Sequence, residues 1–194
     1  MKRLLIPLGL LVFVGLIGGC ASNLVAKKWS KAHFAAHPRI AVFPFDNLSS
    51  QEQVGARLTE YFQAFLVAGN RCDLVETGTV YDCLRRHRVR SSSLITTPQL
   101  DTIAAELKID YFISGTVLEY RETDNTYLGK LPQVSFNTRL VDCATKNTVW
   151  SGVSNGSGDK GELVFGLGAI RSSDDLARRM TSSAVNKIFE LFKE

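Results

Sequence analysis

The chain has 194 residues, 45% of them hydrophobic and 22% charged, with a formal net charge of +4 and four cysteines. That length suits one domain with a hydrophobic core and is too short for two comfortable ones. The charge gives no general argument for nucleic acid, and no CxxC pair or Cys/His spacing points to a metal or a redox motif.

Lys2 and Arg3 precede an apolar run over residues 4–17, the length of a signal-peptide core and short of the ~20 residues a spanning helix needs. Leu16-Ile17-Gly18-Gly19-Cys20 closes that run and resembles a bacterial lipobox. The resemblance implies removal of residues 1–19, a diacylglycerol on the Cys20 sulfur and an acyl chain on its new amine. Two or more acyl chains make a stable anchor, and this covalent lipid is the only non-protein group expected. Ala21 and Ser22 follow, with no aspartate of the kind that retains lipoproteins at the inner membrane, so the resemblance implies the periplasmic face of the outer membrane. Cleavage leaves 21 basic against 19 acidic side chains, a balance near neutral.

Residues 20–38 are expected to be the acylated N-terminus and a tether, with Lys27, Lys28 and Lys31 around Trp29 and a stop at Pro38. Such a tether reaches at most ~60 Å and averages ~23 Å. His33 and His37 are four apart, but Pro38 pushes His37 out of helical geometry, which argues against a metal pair.

Residues 39–194 form the expected domain. Ile40-Ala41-Val42-Phe43-Pro44-Phe45 reads as a buried strand. A helix follows, with Ser49 and Glu52 spaced as a capping box, Val54, Leu58, Phe62, Phe65 and Leu66 along one face and Gly69 at the stop. Residues 72–76 read as a second strand and 79–87 as a short helix. Thr97 can cap a third helix that has Pro98 in its first turn. Residues 111–121, 134–143 and 148–153 are β-branched and aromatic, with a hairpin turn at Thr145-Lys146-Asn147. Ser172 or Ser173 starts a last helix in which Leu176, Met180, Ala184, Ile188 and Phe192 step by four. The order βαβααβββα predicts an α/β (α+β) sandwich: a mixed sheet carrying helices and ending in an antiparallel meander.

Ile40 to Phe45 with Asp46-Asn47, the segment Ala105 to Val117, and Leu140-Val141-Asp142 with Thr148-Val149-Trp150-Ser151-Gly152 together resemble the envelope lipoprotein superfamily of CsgG (the curli secretion channel), LpoB (a penicillin-binding protein activator) and the TolB N-terminal domain. The resemblance implies that fold and a role among envelope proteins, either as an accessory factor or as a subunit of an oligomeric channel. A channel subunit would add spanning hairpins of about 20 residues. Residues 122–133 are too few for one, and in the sixteen residues 155–170 the first half, 155–161, is polar and glycine-rich with no lipid-facing alternation. The tether is also short against the long linker of the activators.

Enzyme motifs are scarce. Gly156-Ser157-Gly158-Asp159-Lys160-Gly161 matches G-x-G-x-x-G in letters, but no helix pattern follows, and a flexible loop is the better reading. His87 is the one histidine within the expected domain, and no nucleophile context accompanies it. Two surfaces are candidates for partners. The run Arg85-Arg86-His87-Arg88-Val89-Arg90 is either a solvated helix end, where arginines suit the dipole, or a binding face. Leu163, Phe165 and Leu167 sit among glycines and form either an exposed apolar surface or a loop folded onto its own domain. The partners expected are other envelope proteins or further copies of this chain, with no nucleic acid. Cys72 and Cys143 are the expected pair if a disulfide forms; the alternative is three buried free thiols.

Overall fold

A computed structural model describes residues 22–28, 37–126, 129–160 and 169–192. The strands are β1 (Ser22–Lys28), β2 (Arg39–Val42), β3 (Asp46–Asn47), β4 (Asp73–Leu74), β5 (Tyr111–Asn125), β6 (Gly129–Asp142) and β7 (Thr148–Ser157). The helices are α1 (Val54–Gly69), α2 (Thr77–Arg86), α3 (Thr97–Leu107) and α4 (Ser173–Leu191), with a 3-10 turn at Ser92–Leu94. One open sheet runs β1-β7-β6-β5-β2-β4, and β3 pairs with β5. β2 is parallel to β4 and β5, and every pairing from β5 to β1 is antiparallel. The expected α+β sandwich is the observed fold.

Alternation along the strands builds two cores. Ile40, Val42, Tyr111 and Ile113 point into a cluster with α1 and α4, while Ala41, Phe43 and Phe112 point into a second cluster with α2 and α3. In the first, Phe62 stacks on Phe45 at 4.9 Å and meets Phe136 edge-on at 6.1 Å. In the second, Phe43 stacks on Phe112 at 4.5 Å. Phe112, Trp150 and Phe189 are buried and Phe65 is packed against the first core, as their phases predict. β5 carries a bulge between Val117 and Glu119. The extra residue turns Leu118 outward and keeps both Val117 and Tyr120 in the first core, where strict alternation would have exposed Tyr120.

The structure corrects five expectations. Part of the tether is strand: Ser22 to Lys28 pairs residue by residue with Gly156 to Trp150. Without β1 the edge of β7 would be bare, and Leu24 adds to the first core while Val25 faces out, a period of two too short to stand out in sequence. Residues 122–133 are not a loop, because β5 and β6 continue as a hairpin to Asn125 and Gly129. Ser49 does not cap α1; its hydroxyl donates to Asn47 Oδ1 at 2.7 Å, and the helix starts later, after Gln53. Gly69 is the last residue of α1 and the stop is made by Asn70 at φ 48°; Gly69 itself is required because a Cβ there would lie 2.1 Å from the Phe189 ring. No disulfide links Cys72 to Cys143: both are free and buried, in clusters on opposite faces of the sheet, and Cys83 is free as well.

The caps of α3 and α4 follow the sequence closely. Thr96, one residue before the expected cap, donates its hydroxyl to Gln99 Oε1 at 3.0 Å and its backbone N–H to the same oxygen at 3.1 Å. Ser172 Oγ accepts from the Asp175 N–H at 3.3 Å.

Candidate functional site

α2 is a three-turn helix because Val80, Cys83 and Leu84 share one face, which it buries against β2 and α3. Its last turn carries the arginines, and the structure divides them. Arg85 donates to Asp82 at 2.8 Å and Arg86 donates to Glu106 of α3. Arg88, at φ 55°, leads the chain away from the helix. Arg88 and Arg90 are exposed and have no ion-pair partner among the described residues. With Arg85 they line an open groove whose apolar floor is Pro44, Tyr81, Leu84 and Val89.

The chain beyond the groove is fixed by polar contacts. Ser91 Oγ donates to Asp46 Oδ2 at 2.8 Å, and Arg139 on β6 reaches Ser114 Oγ at 2.8 Å and the Ser92 carbonyl at 3.1 Å. Leu48 and Leu94, each close in sequence to the Asp46–Ser93 contact, are 72% and 77% exposed, and Tyr81 is 42% exposed. Cationic and apolar side chains therefore share this end of the domain, a composition suited to docking a protein with an acidic, partly apolar surface. A solvated helix end accounts for Arg85 and Arg86. It does not account for Arg88 and Arg90, which are exposed beyond the helix end.

The same turn of α2 makes a second cluster that the sequence reading missed. Cys83 and His87 lie four apart, one helical turn, and Glu106 comes to them from α3. His87 Nε2 lies 2.7 Å from Glu106 Oε2, and the Cys83 sulfur lies within 4.8 Å of both. Arg86 first and His87 second hold the Glu106 carboxyl down to about 2, while burial, then Glu106, pushes the Cys83 thiol up to about 11. The signal was present in the sequence as Cys83-x-x-x-His87. Only the packing of α3 supplies the third group.

A polar cluster closes the other side of the sheet. Asp174, in the first turn of α4, accepts from Arg57 of α1 at 2.9 Å and from the Tyr120 hydroxyl of β5. It joins three elements of the first core, which gives it a structural role. His37 pairs with Asp73 at 3.1 Å and so has a protein partner. Cys20, Leu163, Phe165 and Leu167 lie outside the described residues. The ends of the segment carrying the last three are drawn together where the Ile170 N–H donates to the Gly158 carbonyl at 2.9 Å.

No protein-family model matches the chain, and no curated protein sequence matches it either. Solved structures match in fold. The PelC dodecamer of Paraburkholderia phytofirmans is 16% identical, with 82% of this chain and 94% of PelC covered at a TM-score of 0.54. The lipoprotein GNA1162 of Neisseria meningitidis is 19% identical over 79% of this chain and 99% of its own, at 0.53. The C-terminal domain of Escherichia coli LpoB, 17% identical over 64% of this chain and 85% of its own, stands at 0.48. At these identities the likeness is one of fold.

Proposed function

We propose that the chain is an outer-membrane lipoprotein, anchored through acylated Cys20, whose periplasmic domain works by binding envelope proteins and not by catalysis. The observation that carries this reading is the meeting of a lipobox with an edge strand: Ala21 alone lies between Cys20 and Ser22, the first residue of β1, a distance of two residues along the chain. Two residues reach ~7 Å, so the anchor holds the sheet at the membrane surface and partners must come to it there. The fold shared with the lipoprotein GNA1162 supports the same reading.

The docking face we assign is Arg88 and Arg90 with Tyr81, Leu48 and Leu94. Labelling cells with radioactive palmitate and separating their membranes should place labelled wild-type protein in the outer membrane, and Cys20→Ser should lose the label. Unlabelled wild-type protein sinks the anchor. The double variant R88A/R90A should lose crosslinked envelope partners while keeping its fold; an unchanged crosslinking pattern removes this face.

A second reading, a subunit of an oligomeric secretion channel, is favoured by one observation. β1 is an edge strand with no neighbour on its outer side among the described residues, and beside it the second face of the sheet is polar. PelC, of the same fold, is a dodecamer. Light scattering of the acylated protein in mild detergent decides: a monomer or small oligomer leaves the accessory reading, and a ring of many subunits replaces it.

A further inference from the structure

We propose that Cys83, His87 and Glu106 form a three-ligand site for a borderline-soft divalent metal ion, Zn2+ above all. The three donor atoms lie within 4.8 Å of one another. A tetrahedral zinc with one sulfur, one nitrogen and one oxygen ligand needs separations of about 3.4 to 3.6 Å, from its ordinary bond lengths. Rotation of the side chains would open the 2.7 Å contact of His87 with Glu106 and close the wider separations, with Cys83 and His87 standing one turn apart at the end of α2 and Glu106 facing them from α3.

The donor chemistry agrees. Thiolate with imidazole and one carboxylate selects zinc-like ions over magnesium or calcium, which take oxygen ligands. The imidazole already meets that carboxylate and the sulfur lies within 4.8 Å of both, so the space between the three is where a cation would sit. Arg86 is bound through Oε1 of Glu106, which leaves Oε2 facing His87. On binding, the thiol proton leaves to solvent and the metal takes its place on sulfur; no electrons move.

Burial sorts the roles of the ligands. Cys83 is fully buried against Val80, Leu84 and Ile103 of the second core, while the His87 and Glu106 side chains are about a quarter and a third exposed. The sulfur is therefore fixed and dry, and the metal enters from the solvent side. Three protein ligands leave a fourth position open there for water or for a side chain of a docked partner. Because the site shares the last turn of α2 with the arginine groove, metal occupancy would also stiffen the groove wall.

The test uses the mature, tag-free chain with a non-thiol reductant, titrated with Co2+ and then with Zn2+. One Co2+ per chain should appear with a thiolate-to-cobalt charge-transfer band and the intense visible bands of four-coordinate cobalt, and Zn2+ should displace it. Cys83→Ser should lose the charge-transfer band. Glu106→Gln, which leaves the buried thiol alone, should weaken binding by at least the ~10-fold that loss of an outer-sphere partner costs. Zn2+ should raise the Tm of the wild type and leave that of Cys83→Ser unmoved. Absence of stoichiometric Co2+ binding, or a charge-transfer band that survives Cys83→Ser, overturns the site.

Discussion

The two faces of the sheet are built on different plans. The face beneath α1 and α4 is apolar from β2 across to Leu24 of β1, with Ile40, Ile113, Phe136 and Trp150 in one continuous core. The opposite face is apolar only beneath α2 and α3, at Ala41, Phe43, Phe112 and Val141. Past that point it turns to Ser114, Thr116, Asn137, Arg139 and Ser151, over which the described residues place the short 3-10 turn at Ser92–Leu94 and no α-helix. A sheet needs one complete core to be stable, and a half-covered second face then leaves surface free for other work. Both chemically unusual clusters, the arginine groove and the Cys83–His87–Glu106 group, belong to the half-covered side.

Phe62→Ala strikes the complete face at its best-packed point and should lower stability by about 3–5 kcal/mol in denaturant unfolding, against a small cost if that core were loosely filled. Gly115→Ala is next. Its new Cβ would lie 2.2 Å from the Asn137 carbonyl oxygen and 2.4 Å from the Phe45 ring, an overpacking worth about 1–3 kcal/mol. A neutral result would mean that β5 can shift away from β6 and the Phe45 ring.

Asp174→Asn should cost about 1 kcal/mol at neutral pH, the discount reflecting a carboxylate about two-fifths exposed. Hydrogen bonds from Tyr120 and Arg57 hold the Asp174 carboxyl below its ordinary value against the opposing effect of burial. A depressed carboxylate stabilises the fold above its unfolded value of about 3.9 and loses that contribution as pH falls through the folded one. The unfolding midpoints of variant and wild type should therefore converge below about pH 4, and a gap that persists there would assign the effect to packing. Val153→Ser, on the open face at 37% exposure, should change stability by no more than about 0.5 kcal/mol. A loss as large as that of Phe62→Ala would abolish the contrast between the faces.

Most of the complete core was legible in the sequence, because Ile40 to Phe43, the face of α1 and the four-step of α4 each carry their own period. The bulge at Val117 was not, since an inserted residue looks like ordinary strand until its partner is known. β1 escaped because four residues of alternation among lysines make no pattern until the edge of β7 calls for a strand. The hairpin beyond Tyr120 was hidden by Glu122, Thr123 and Asp124, polar residues that read as loop and are held extended by pairing with Pro132, Leu131 and Lys130. In the candidate site the basic run was plain. Its division was not, because Arg86 is neutralised by a residue 20 positions away.

The register of β1 also sets a posture. Ser22 lies opposite Gly156, which is opposite Val134, which is opposite Tyr120, so the chain enters the sheet level with Tyr120. The β5–β6 hairpin continues to Asn125, five residues further in the direction from which Ser22 comes, a projection of about 17 Å at strand rise. With the proposed anchor at Cys20, two residues before Ser22, the domain could not stand upright with that prong clear of the lipid. Acylation of Cys20, as proposed, would therefore leave the hairpin two arrangements, resting in the headgroup layer or lying along the surface with the whole sheet tipped onto its side.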